Sequence, residues 1–144
     1  MNSDSLFFFG NVFLGLFAFS LQVTALAVSD ATYIPDLVCT GIWGGAFLIM
    51  FASLLKTRML SCKTIKALAV YSMLIGFTLI GLHAWSISSY SDFIDFCEFF
   101  LFNNEIGLCG RVAIDSLLIC SGSLIVILNV FIASKASSMV KLLA

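Results

Sequence analysis

Charge is what this chain most lacks. Charged residues make up 10% of 144, where an ordinary soluble domain has roughly 25%. A soluble chain this short could not cover its apolar side chains with so few charges, which excludes a soluble enzyme and a nucleic-acid binder with a basic face. Histidine occurs once, and no Cys-x-x-Cys pair or cluster of metal ligands accompanies it. A metal site, a thiol oxidoreductase and most acid–base chemistry are therefore unexpected, and no cofactor is implied. Proline also occurs once, and no low-complexity stretch is present, which argues against disorder. None of the asparagines opens an N-glycosylation sequon. What is present is apolar: 61% hydrophobic residues, 14% aromatic, and a mean hydropathy of +1.12. The bilayer is the solvent this composition fits.

The charges mark where the chain crosses it. Four runs, at about 6–29, 37–55, 67–87 and 112–134, hold one charge between them, Asp115. Each is close to the roughly 20 residues that a helix needs to span the hydrocarbon core. They lack the alternation of barrel strands, so satisfying the backbone in lipid demands helices. The sequence predicts an all-α integral membrane protein, a single four-transmembrane-helix bundle over 1–144. The first run follows an acidic flank without Lys or Arg, so it reads as a retained span and not as a cleaved signal.

The connection after the second run carries Lys56, Arg58, Lys63 and Lys66 and no acid, and Lys135 and Lys141 follow the fourth run. Asp30 and Asp36, then Asp92, Asp95, Glu98 and Glu105, fill the other two connections. The excess of bases places the middle connection and both termini in the cytoplasm. A short turn around Pro35 and a large loop over 88–111 then lie outside. No internal repeat is evident.

Several residues stand out as candidates. Cys97 and Cys109 share the large outer loop, where an oxidising environment would favour a disulfide between them; free thiols, or a bond to Cys39, are the alternatives. Cys62 lies in the basic connection beside the membrane, a setting for S-palmitoylation. Asp115 has Arg111 one turn before it on the same face. The two read as a structural pair or an outer contact for a partner, with an ion or proton site as the alternative. His83 reads as an interfacial hydrogen-bonding residue beside Trp85. Asn11, Gln22 and Asn129 read as interhelical glue. The small residues Gly41, Gly44 and Gly45, and Ser72 with Gly76, let a helix approach closely, within one chain or between chains. Phe96, Phe99 and Phe100, with Phe93 and Phe102, alternate with acids in the outer loop. They suit a short amphipathic helix that caps the bundle or meets a partner.

The run Gly41-Ile42-Trp43-Gly44-Gly45-Ala46-Phe47-Leu48-Ile49, followed by Ser53-Leu54-Leu55, resembles the Trp-Gly-Gly segment of the membrane-spanning four-domain subfamily A. That group includes a B-cell surface marker and the β chain of the high-affinity IgE receptor. The short first outer loop, basic inner loop and two-cysteine outer loop are similar as well. A tetraspan of muscle adhesion complexes shares the layout. The resemblance implies a non-enzymatic tetraspan that oligomerises or escorts receptors and in some members is linked to calcium entry. The expected function is an accessory or scaffolding subunit of a receptor or channel complex at the plasma membrane. Its expected partners are the lipid bilayer and other membrane proteins, or a second copy of itself, and no nucleic acid. An oligomeric ion channel or small transporter is the alternative.

Overall fold

The computed structural model describes residues 3–28, 38–57, 60–89 and 106–141. All four expected spans are helices: α1, Ser3–Val28; α2, Thr40–Thr57; α3, Cys62–Ser89; α4, Ile106–Lys141. Each is long and apolar enough to cross a membrane. The helices alternate in direction. α1 packs on α2 and α3 on α4 most closely, and α4 against α1 and α2 against α3 close the ring. One end of the bundle, where α1 and α3 finish, adjoins the acidic connections. The other carries Lys56, Lys63, Lys66, Lys135 and Lys141.

The helix limits differ from the spans read from charge. α4 begins at Ile106 and ends at Lys141, so the segment 106–111 is helix and not loop. At 1.5 Å per residue its 36 residues extend about 54 Å, well past the hydrocarbon core. The reason is that charge marks the edge of the lipid, not the end of backbone hydrogen bonding. Nothing in this stretch breaks a helix, and Lys135 is exposed where α4 leaves the apolar region. α3 starts where Ser61 caps it: its Oγ accepts from the Thr64 amide at 3.2 Å. α2 starts at a sharp corner, with Cys39 at φ 50° and its carbonyl accepting from the Ile42 amide at 2.9 Å. The Trp43 indole donates back to the Val38 carbonyl across that corner, at 3.0 Å.

Two apolar clusters fill the interior. Leu14, Ala18, Leu48, Ile75, Leu79, Leu118 and Ile125 occupy the middle and the acidic side. Phe7, Phe51, Ile65, Ala69, Ile132 and Ala136 close the basic side. The middle is held by two glycine crossings. A Cβ on Gly45 would collide with the Gly15 carbonyl, and one on Gly15 would come to 2.7 Å from the Gly45 carbonyl. Gly76 and Gly122 stand in the same reciprocal relation: a Cβ on either would come to 2.7 Å from the other's carbonyl oxygen. Backbone meets backbone at both points, the close approach that small residues permit. Gly81 faces open space, so Gly81→Ala should leave thermal stability in mild detergent unchanged or slightly raised; a marked loss would mean that this face is covered.

The crossings make the two hairpins equivalent, although the sequence shows no repeat. Counted from Gly15, and from four residues before it onward, the buried positions of α1 are Asn11, Leu14, Ala18, Gln22 and Ala25. Counted identically from Gly76, those of α3 are Ser72, Ile75, Leu79, His83 and Ser86. Around Gly45, α2 buries Gly41, Gly44, Leu48 and Ala52. Around Gly122, α4 buries Leu118, Ser121, Ile125 and Asn129. Apart from the buried Phe51 of α2, whose counterpart Leu128 of α4 is half-buried, the same burial pattern is thus written twice around the crossings in different side chains. Among the differences are polar ones: Gln22 of α1 corresponds in position to His83 of α3, and Ala52 of α2 to Asn129 of α4.

Candidate functional site

The polar substitutions in the second hairpin meet at the acidic end. Asp115, on the inward face of α4, is completely buried. Its Oδ1 lies 2.8 Å from His83 Nδ1. Its Oδ2 accepts from the Ser86 hydroxyl at 2.7 Å and from Arg111 Nε at 3.3 Å. The spacing explains the convergence. His83 and Ser86 are three apart on α3, and Arg111 and Asp115 four apart on α4, so each pair shares a helix face. A carboxylate only accepts, so His83 Nδ1 carries the hydrogen in this arrangement. The Arg111 guanidinium balances the charge of the carboxylate.

The geometry is that of a latch and not of a nucleophilic triad. In a triad the hydroxyl sits on the histidine nitrogen that the acid leaves free. Here Ser86 sits on the acid, and His83 Nε2 is buried without a hydrogen-bond partner among the described residues. Thr40 Oγ1 and Ser121 Oγ are buried in the same way, on the acidic side of the glycine crossings. Buried polar atoms of this kind are ordinarily satisfied by ordered water. Among the described residues no group of three His, Cys, Asp or Glu side chains could hold a metal ion.

A second polar contact lies toward the basic end. Asn129 Nδ2 donates to Asn11 Oδ1 at 3.3 Å, joining α4 to α1, and to the Ile125 carbonyl at 2.9 Å. Both asparagines are completely buried. Asn11→Leu should lower stability by about 1 kcal/mol, the usual worth of one such bond in a membrane bundle. Unfolding in graded denaturing detergent measures this, and no change would mean that Asn129 finds another acceptor.

The other candidates fall as follows. Arg111 and Asp115 point into the bundle and are 3% and 0% exposed, so they form the structural pair rather than an outward contact for a partner. His83 is inside as well, bonded to Asp115 rather than lying at the interface beside Trp85, which is exposed. Gly41 and Gly45 face α1, Gly44 faces Ile75 of α3, and Gly76 faces α4; Ser72 is buried and bonds the Leu68 carbonyl within its own helix. The small residues thus serve packing within the chain. Gln22 Oε1 accepts from the Gly41 amide at 3.4 Å, tying α1 to the start of α2. Cys62 is half-buried, its Sγ 3.5 Å from Ser137 Oγ of α4. The expected Cys97–Cys109 disulfide and the aromatic loop segment with Phe96, Phe99 and Phe100 lie outside the described residues, Cys109 as regards its side chain.

Ser86 and the partnership of His83 with Asp115 were not apparent in the sequence. The available signal was depth: with 88–111 as one loop, His83 and Asp115 each lie a turn or so inside its two ends. Compared with known protein families, curated proteins and solved structures, the chain matches none.

Proposed function

We propose that this chain is a non-enzymatic tetraspan that serves as an accessory or scaffolding subunit of a receptor or channel complex, through its membrane-facing surface and outer loop. The observation that carries the reading is how the interior is used. Every buried charge and amide described above is engaged across or within the helices, and the apolar clusters close the middle and the basic end. A single chain packed in this way does not favour a path along its own axis. Its outward surface is apolar and aromatic, with Phe13, Leu74, Phe77 and Phe131 each more than half exposed. Such a surface is suited to lipid and to partner helices. The resemblance to the membrane-spanning four-domain subfamily A points the same way, to a plasma-membrane protein with cytoplasmic termini that associates with receptors or with itself.

Affinity purification from native membranes in mild detergent tests the proposal. The expected result is a membrane-protein partner, or further copies of the chain, at fixed stoichiometry. Recovery of a partner-free monomer overturns it. The second reading, a pore formed between several copies, is favoured only by the buried polar cluster. Reconstituted chain that conducts, with a conductance altered by Asp115→Asn, would replace the first reading with this one; an electrically silent bilayer counts against the pore.

A further inference from the structure

The ionic cluster of the acidic end belongs to one hairpin only. Counted from the glycine crossings, Gln22 stands where His83 does, Ala25 where Ser86 does and Val38 where Asp115 does. The first hairpin joins its helices at this level through an amide, Gln22 Oε1 accepting from the Gly41 backbone. The fold can therefore close this end without an ionisable side chain. The second hairpin nonetheless buries His83 and Asp115 there, and ionisable groups inside a membrane span are candidates for function.

His83 is the one histidine of the chain, and imidazole is the side chain that ordinarily gains a proton between pH 8 and 5. Its Nδ1 is engaged with Asp115 Oδ1 at 2.8 Å, while Nε2 is buried with no hydrogen-bond partner among the described residues. A proton arriving at Nε2 creates a cationic donor with nothing to accept from it. A buried donor without an acceptor costs about 1–3 kcal/mol, and more when it is charged. Asp115 cannot turn to meet it, because Oδ1 is held by His83 and Oδ2 by Ser86 and Arg111. Nor is the carboxylate a fresh counter-charge: it already faces the Arg111 guanidinium, so an imidazolium is a second cation on one acid. Arg111 keeps its charge at every relevant pH. From α1 and α2, the residues buried at this end are Gln22, Ala25, Thr40 and Gly41, none of which titrates. Cys39, half-buried at the start of α2, is a thiol and gains no proton on acidification. Among the described residues no second acid is buried here.

We propose that the His83–Asp115 latch is a proton-sensitive clasp, which holds the acidic ends of α3 and α4 together at neutral pH and releases them when the adjoining compartment is acidified. Release is short-range, since His83 lies within the last two turns of α3. Once the helix ends part, the imidazole meets water and takes its proton near pH 6.5. Protons thus bind the open form and not the closed one, so closure is complete above about pH 6.5 and is lost progressively below it. The clasp requires no protein partner and does not depend on the accessory-subunit reading.

Hydrogen–deuterium exchange of the purified full chain in lipid nanodiscs, at pH 7.5 and 5.5, tests this. Rates are compared as protection, after correction for the intrinsic pH dependence of exchange. Amides at 83–89 and 112–118 should lose about tenfold in protection at pH 5.5, the linkage of one proton taken up near pH 6.5. Those at 22–28 and 42–48, in the hairpin without the cluster, should change by less than about twofold. His83→Gln keeps a donor for Asp115 but has no proton to gain, so the tenfold difference should vanish. Ser86→Ala removes one donor and should lower protection at both pH values while leaving the tenfold difference in place. Unchanged protection at 83–89 and 112–118 between the two pH values would overturn the proposal. So would an equal loss in both hairpins, or a tenfold difference that persists in His83→Gln. Wild type alone decides the first two outcomes, whether or not the variants fold.

Discussion

Asp115→Ala should cost about 3–5 kcal/mol of stability, the range for removing one partner from a buried ionic cluster. The magnitude follows from what the carboxylate holds. It accepts from His83, Ser86 and Arg111, three donors on two helices, and among the described residues it is the only buried acid. Removing it takes one carboxylate acceptor from the buried Arg111 guanidinium and leaves the His83 and Ser86 donors without this acceptor, in a place where water enters with difficulty. Asp115→Asn keeps the volume and one acceptor oxygen, so its loss should be smaller. The informative comparison is the pair His83→Leu with Asp115→Leu. Replacing both partners by apolar groups removes the orphaned donor as well as the bond, so the double variant should be milder than the sum of the singles. Unfolding in graded denaturing detergent gives all these values. Asp115→Ala as stable as wild type would show that the cluster does not latch α3 to α4.

Gly45→Leu should disrupt the other hairpin by about 3 kcal/mol or more, at the upper end of the cost of overpacking. Even a single added carbon at this position meets the Gly15 carbonyl. A carbonyl in a helix cannot rotate aside as a side chain can, so the two helices must separate. Separation would open the contacts of Leu14, Ala18 and Leu48 around the crossing. The equivalent Gly122→Leu, placed against the Gly76 carbonyl, should show a loss of the same order. Gly44→Ala is the contrasting case: the atoms nearest its new carbon belong to the Ile75 side chain, at 2.6 Å, and a side-chain methyl can give way at lower cost than a helix carbonyl. If Gly45→Leu and Gly44→Ala lost the same stability, the backbone crossing would not be what holds α1 to α2.

These two effects concern residues that differ in how readily the sequence discloses them. The spans were legible because lipid tolerates so little charge, and Asp115 stood out for the same reason. The ends of α4 were not, because a helix continues through the interface past Lys135 where the charge pattern stops. Gly41 and Gly45 were recognisable as a close-packing pair, and so was Gly76. Their partners Gly15 and Gly122 on the facing helices depend on register, which no pattern within one helix contains. Arg111 and Asp115 are neighbours by helical spacing and could be paired directly. His83 and Ser86 join them only through the packing of α3 on α4. The equivalence of the two hairpins was hidden altogether, since it is an equivalence of burial between unlike side chains, such as Gln22 and His83.

The claim that binds these features together is that the chain uses its polar and small residues on itself and works by presenting its surface to other membrane proteins. The mass of the particle extracted in a lipid-retaining polymer from its native membrane tests that claim most directly. A single species heavier than the 15.6 kDa chain, by an integral number of copies or by a partner of fixed mass, is the predicted result. A particle containing one 15.6 kDa chain and lipid alone would contradict it.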